Sequence, residues 1–343
     1  MKKAISILVF FTLLFLWGCK GSKNDIVVFP AIKKANLVAT DIPNILAMPM
    51  NLVIHGDKII VHDAGTDWVF KVFAREGFDF LGNFIRRGKG PMEEIAVPHL
   101  FRSLGNDAFL FQSISNVKLA DFRHSGNELD LVILDEFGLP LDLYGATDFF
   151  LLNGKLCSAN FYPSADRDFR CFDKHTRDPF EWGEFALLQR PRTLAPNDIF
   201  YLAKQTTVHP DGNFLAIVYQ NFPTLRIYCA QSGQMLHQLH MDDGSGNIEY
   251  FERNDFVEGF ITYYCLIKST SDYIYGLYRG TGMSALDDYA SVLHIWQWDG
   301  TPVMSLELDR AVFSFDVTPD NRQIIASSVV DVDRLFVAEI PWD

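Results

Sequence analysis

The sequence predicts an all-β fold of six similar sheets set in a ring, and three observations predict it. Beyond residue 24 there are no long segments of helical period. Short runs rich in Val, Ile, Phe, Tyr and Leu are instead punctuated by Gly, Asp, Asn and Pro. One unit then recurs six times (a turn, a strand, a short loop and a second strand), with turns at 56, 105, 154, 212, 272 and 321. A β-rich period of roughly 50 residues marks a propeller with one four-stranded sheet per repeat. Finally, the sixth unit runs out at Asp343 after its third strand, which leaves an edge to be covered from elsewhere in the chain. The expected architecture is a six-bladed β-propeller, its last blade completed by the N-terminal strand. With 48% hydrophobic and 14% aromatic residues, 30 of them Phe, the chain has ample material for a core and is not a disordered polymer.

In chain order, the first element is a leader. Lys2 and Lys3 precede an uncharged, almost wholly apolar run from Ala4 to Leu16, and Leu16-Trp17-Gly18-Cys19 follows at once. This is the pattern of a signal peptide over residues 1–18 with a lipobox, the Cys19 thiol taking a diacylglycerol; Trp17 is bulkier than the usual residue there. About 15 apolar residues fall short of the roughly 20 that a bilayer span needs, so a lipid anchor is expected in place of a transmembrane helix. Residues 19–24 read as a polar tether and 25–343 as a single propeller. No Asp follows the cysteine and the tether lacks a clear acidic run. The expected location is therefore the cell envelope, as an outer-membrane lipoprotein facing either the periplasm or the surface.

The segment Asp25–Pro30, with Ile26, Val27, Val28 and Phe29, is the expected closing strand. The six units then follow. Gly56-Asp57 opens Lys58–Asp63 with partner Trp68–Phe73, and Gly105-Asn106-Asp107 opens Ala108–Ser113 with Val117–Phe122. Asn153-Gly154 opens Lys155–Asn160 with Asp168–Phe172, and Asp211-Gly212 opens Asn213–Tyr219 with Leu225–Cys229. Ser271-Asp272 opens Tyr273–Tyr278 with Val292–Trp298, and Asp320-Asn321 opens Arg322–Val329 with Arg334–Ile340. Glu76-Gly77, Ser125-Gly126, Ser232-Gly233 and Asp299-Gly300 are hairpin turns from third to fourth strands, Gly supplying the positive φ. Blade 3 has Lys174 to Pro179 in that slot and must turn without a glycine.

The leader with Cys19, the turn Phe73-Ala74-Arg75-Glu76-Gly77 and the run Gly88-Lys89-Gly90-Pro91-Met92-Glu93 make the chain resemble the TolB-like six-bladed propeller lipoproteins of Bacteroides-type bacteria. Relatives of that kind carry Gly-x-Gly-Pro-Gly-Glu between blades 1 and 2, and Met92 stands here in place of the last glycine. The resemblance implies a propeller and carries no catalytic residues to transfer.

The residues identify no reaction. A formal charge of −13 disfavours nucleic acid as a partner. Gly88-Lys89-Gly90-Pro91 lacks the following helix and the Lys-Ser/Thr of a phosphate loop, so it reads as a connector. His237 and His240 lie three apart on a strand and point to opposite faces. His55 and His62 bracket a turn and are close enough in sequence to approach each other, but no third ligand accompanies them; no metal site or cofactor is expected. Asp242-Asp243-Gly244 and Asp287-Asp288 lack the spacing that wraps a calcium ion. No Gly-x-Ser-x-Gly elbow and no sialidase box occur. Cys157 and Cys171 flank a hairpin centred near Ser164. Cross-strand disulfides are geometrically awkward and buried free thiols common, so they are expected to be free, although export permits oxidation.

Charge on the connectors is the one suggestive distribution. Arg86, Arg87, Lys89, Arg190, Arg192 and Arg253 fall in blade connectors, and Arg279 follows a second strand on the same face. Together they are expected to put positive charge round one mouth of the channel, for an anion or an acidic partner surface. Asp287, Asp288, Asp331 and Asp333 lie nearby and offset them. The functional expectation is a non-enzymatic, lipid-anchored binding or scaffold module using one loop face, with an envelope protein or glycan as partner. The alternative is a channel-mouth hydrolase or lyase acting on a carbohydrate or lactone with carboxylates and a divalent metal.

Overall fold

A computed structural model describes residues 26–42, 45–90, 93–94, 101–104, 108–126, 128–143, 146–160, 167–174, 176, 178–183, 203–242, 247, 261–282, 291–328 and 330–342. The leader, Cys19 and the tether lie outside the described residues. Six sheets step outward from a common axis in chain order, and the first strands of neighbouring sheets touch round that axis. Blade 1 is Pro49–His55, Lys58–Asp63, Trp68–Ala74 and Phe80–Arg87, with Glu93–Glu94 added in parallel at its rim. Blade 2 is Phe101–Ser103, Phe109–Gln112, Asn116–Ser125 and Glu128–Gly138; blade 3 is Thr147–Leu152, Lys155–Asn160, Phe169–Phe172 and Pro179–Trp182. Blade 4 is Lys204–Val208, Phe214–Tyr219, Thr224–Cys229 and Met235–His240. Blade 5 is Ile261–Ser269, Tyr273–Gly282, Val292–Gln297 and Pro302–Leu308, and blade 6 is Ser314–Val317, Gln323–Ser327 and Leu335–Glu339.

The middle strands are apolar without alternation because both of their faces are covered. Ile59, Ile60 and Val61 have no exposed surface, and neither do Leu215, Ala216, Ile217 and Val218. The buried side chains form six clusters, each shared by two adjacent blades. Between blades 1 and 2, Phe70, Phe109 and Phe111 meet edge to face, while Phe109 and Phe122 stack. Each such aromatic pair adds about 0.5–1.5 kcal/mol to simple burial. The core is thus six slabs and not one centre, and this is where the phenylalanines go.

The N-terminus closes the ring, though with a different segment from the one expected. Val38–Ala39 pairs antiparallel with Phe336 and Val337 of blade 6, and Thr40 donates its amide to the Leu335 carbonyl. Ile32–Ala35 runs parallel to Ser305–Leu308 and gives blade 5 a fifth strand. Ile26 only bridges His240 of blade 4, so Ile26–Phe29 lies away from the terminal sheet. Leu37, 2% exposed, belongs to the slab between blades 5 and 6 and sets which residues reach the last edge. Phe29 covers the His294 ring at 4.4 Å instead.

Two other expectations are corrected. Cys157 and Cys171 face each other directly across two strands, with Cα atoms 3.9 Å apart, and are joined by a disulfide. His55 pairs with Lys58 and His62 with Asn51, at opposite ends of their hairpin, so the two imidazoles do not approach. At the blade 1 rim Gly88 follows the fourth strand, Phe80–Arg87, and a Cβ there would sit 2.0 Å from Glu93 Oε2, at the movable end of that side chain.

Two predictions follow from this packing. The disulfide closes a 14-residue separation, worth roughly 3 kcal/mol of unfolded-chain entropy, so Cys171→Ser should lower stability by about 2–4 kcal/mol in denaturant melts. Burial takes the His294 imidazole from 6.5 to about 3, beside Tyr264 (hydroxyl to Nδ1, 2.9 Å) and the stacked Tyr278 ring. The unfolded chain binds that proton near pH 6.5 and the folded chain does not. Stability from this group is therefore full above pH 6.5 and falls by up to about 1.4 kcal/mol per unit as pH drops toward 3. His294→Gln should flatten that slope, read as denaturation midpoints at pH 4 and pH 7.

Candidate functional site

The antiparallel order of every blade gives the ring two unlike faces. The blade-to-blade connectors and the loops between second and third strands emerge together on a connector face. The turns after first and third strands form the opposite, turn face. Along the axis runs a cavity of about 790 Å³, lined by first strands of all the blades. That volume lies in the range of small-molecule sites.

Every blade contributes a polar group to this channel. From blade 2, Arg102 sends Nη2 to Asp148 Oδ1 of blade 3 (2.6 Å) and Nη1 to the Thr206 carbonyl of blade 4 (2.9 Å). From blade 5, Lys268 Nζ donates to the Leu52 carbonyl of blade 1 at 3.3 Å. From blade 6, Asp316 accepts the Ile54 amide of blade 1 (2.8 Å) and the Val317 amide (2.9 Å). Burial pushes the Asp148 and Asp316 carboxyls up and pulls Arg102 and Lys268 down, each opposed by its oppositely charged neighbours. Asp148 also holds a left-handed backbone with φ 57°, a conformation costing a non-glycine residue about 1–3 kcal/mol. Asp316 accepts two amides and Asp148 Oδ1 a guanidinium, while Asp148 Oδ2 is buried and, among the described residues, makes no hydrogen bond.

A second charged knot lies outside the channel, between blades 3 and 4. Asp168 is wholly buried and accepts from Tyr219 (2.9 Å), Tyr228 and Arg226 Nη1 (3.1 Å), with Lys204 Nζ at 3.4 Å. Here burial lowers Lys204 against the pull of Asp168. At the turn face, His55 links blades 1 and 2 through Ser103 Oγ (3.3 Å) and Asp121 Oδ1 (3.1 Å). Among the described residues no cluster of three or more potential ligands is placed to hold a metal ion.

Of the basic residues expected at the mouth, Arg86, Arg87, Lys89 and Arg279 are among the described residues, and of these Arg279 lines the channel. Its guanidinium is held by Thr281 Oγ1 and the Gly282 carbonyl. Arg87 clamps the loop between second and third strands of blade 1 through the Thr66 and Ala64 carbonyls. Arg86 and Lys89 are exposed at the blade 1 rim. Arg190, Arg192 and Arg253 lie outside the described residues, as do Asp287 and Asp288. Arg102 and Lys268, which do reach the axis, were missed, although each is a lone charge inside a first strand or its edge.

The connector face carries a feature that charge alone does not reveal. Met48, Trp68, Ile114, Leu141, Val330 and Val332 are exposed there, Leu141 at 81% and Val330 at 76%. They sit on connectors and loops of blades 6, 1 and 2, which are neighbours in the ring. The short 3-10 turn Leu141–Leu143 buries Leu143 completely and leaves Leu141 outside. Ion pairs border them: Arg310–Asp331 at 3.4 Å and Arg334–Asp333 at 3.0 Å.

A family described as TolB-like 6-blade propeller-like matches residues 28–320. No curated protein matches the chain. A member of the DUF4221 family from Bacteroides vulgatus is similar in structure, with 12% identity, TM-score 0.58 and coverage of 92% of this chain and 98% of that one. A Bacteroides fragilis protein described as exported has 12% identity and TM-score 0.57, covering 91% and 96%. The β-propeller domain of Cps50 (Swd1) from Myceliophteria thermophila has 10% identity and TM-score 0.51, covering 89% and 99%. These likenesses concern the fold.

Asp168→Asn should cost about 3–5 kcal/mol, because it strands Arg226 and Lys204 without their common counter-charge. Urea melts of the variant beside wild type measure it.

Proposed function

The chain belongs to the TolB-like six-blade propeller family, and from that premise we propose a lipid-anchored binding or scaffold module of the cell envelope that docks a protein partner on its connector face. The apolar arc of Met48, Trp68, Ile114, Leu141, Val330 and Val332 carries this reading. Contiguous exposed apolar side chains rimmed by polar groups mark interaction surfaces on soluble domains, and propeller loops are the variable part of a fixed frame. Among the described channel carboxylates, Asp316 is held by two amides and Asp148 by the Arg102 guanidinium, and this supports the module reading over the hydrolase alternative.

The tether supports the same orientation. Ile26 bridges His240, which ends the outer strand of blade 4 at the connector face. The seven steps from Cys19 to Ile26 span at most about 25 Å. A lipid on Cys19 thus holds the edge of that face near the membrane, and its partner is an envelope protein of the same membrane. The exported description of the Bacteroides fragilis neighbour accords with this location.

Photo-crosslinking side chains placed at Leu141 and Val330, and at Asp57 and Asp211 on the turn face, test it in the native envelope. The expected outcome is one common adduct from the connector-face pair alone. Equal adducts from both faces, or none from either, would sink the proposal.

A further inference from the structure

We propose that the axial channel is a binding site for a small oxyanion, a carboxylate or phosphate group carried on a polar molecule, with Lys268 as its anchor. This site is separate from the connector-face arc. The case begins with charge. Among the described residues, the cavity wall carries Arg102, Lys268 and Arg279 against Asp148 and Asp316, a surplus of one positive charge. The two carboxylates are not equivalent partners for Lys268. Asp148 gives its Oδ1 to Arg102, and both oxygens of Asp316 accept backbone amides, from Ile54 and Val317. Among the described residues no carboxylate oxygen lies within 4 Å of the Lys268 ammonium, and its one hydrogen bond is the 3.3 Å contact to the Leu52 carbonyl.

An ammonium has three donors, and Lys268, half-buried in the channel wall, matches one of them to protein, at the Leu52 carbonyl. Burial presses Lys268 toward its neutral form, Asp316 and Asp148 pull the other way, and the nearby Arg102 cation adds to the pressure. An oxyanion in the channel relieves both effects at once. It accepts the remaining ammonium protons and screens Lys268 from Arg102. The rest of the wall suits a polar carrier: Thr147, Gln205, Thr262, Ser271 and Gln220 bring hydroxyls and amides, while Val53, Leu266 and Val312 supply apolar surface. At about 790 Å³ the space exceeds a bare ion and fits a sugar acid or a sugar phosphate.

Titration calorimetry with inorganic phosphate, gluconate and glucose 6-phosphate tests the assignment on wild type, Lys268→Met and Lys34→Met. Lys34 is 81% exposed on an outer strand and controls for the loss of one charge. At least one probe should bind wild type with 1:1 stoichiometry, weaken about tenfold or more in Lys268→Met, and be unaffected in Lys34→Met. Binding by gluconate alone identifies a carboxylate ligand, and binding by the phosphates alone a phosphate ligand. Lys268→Gln, which keeps a donor without the charge, repeats the test should the methionine variant fail to fold. The proposal is overturned if no probe binds wild type, or if loss of the Lys268 charge leaves binding unchanged.

Discussion

Face-to-face burial of neighbouring sheets is the constraint on which everything else in this protein depends. Each blade is apolar on both faces, so no blade is stable alone, and a row of blades would leave two faces open. Only a closed ring covers all of them. This explains why the phenylalanines are spread through every repeat, and why the slab between blades 6 and 1 must be completed by joining the two ends of the chain. The N-terminal segment does this in stages, touching blade 4 at Ile26, adding a parallel strand to blade 5 and ending as the rim strand of blade 6. Its ladder is short, but Ala35 and Leu37 are sunk in the slab between blades 5 and 6, so closure rests on apolar burial as much as on hydrogen bonds.

The same geometry makes the axis polar. Six first strands converge there, and their inward side chains have no facing sheet to pack against. Groups that would be costly in a slab find partners across the axis: Arg102 reaches two neighbouring blades, and Lys268 and Asp316 both lean on the backbone of blade 1. These contacts tie together residues far apart in sequence at the place where the slabs contribute least. The left-handed backbone at Asp148 fits this picture, because its carboxylate must turn toward Arg102.

Most of the frame was legible in the sequence. Turn spacing located the second and third strands to within a residue or two in most blades, as with Lys58–Asp63 and Lys155–Asn160, because a Gly or Asn turn punctuates an apolar run there. Val38–Ala39 was missed for a physical reason. The more apolar Ile26–Phe29 looked like the better strand, but the last edge takes a partner largely through its backbone, and both Val38 and Ala39 remain exposed. The disulfide was misjudged because geometric awkwardness is an average, whereas the register sets Cys157 opposite Cys171. The channel charges were missed because first strands have weaker turn signals than the strands that follow them. Phe101-Arg102-Ser103 and Phe315-Asp316-Val317 each carried one charge in an apolar setting. Such a residue belongs in a slab only when paired, and so points to the axis.

On the proposed lipid-anchored reading, the start of the described chain and the apolar arc limit how the molecule would work. The described chain begins at the connector-face edge of blade 4, while the arc is centred on blade 1, diametrically across the ring. The proposed lipid on Cys19 would therefore restrain one edge of the connector face and leave the opposite edge free to swing. A partner on the arc would be met at the far side of the disc, where tether length limits reach least. The axial cavity lies between these two edges and is walled by first strands, not by the loops that carry the arc. Occupancy of the channel can thus be recognised by groups whose positions are set by the ring itself, while the arc varies with the loops. On the two proposals, selectivity for a small ligand would rest with Lys268 and its neighbours, and selectivity for a macromolecule with the connectors.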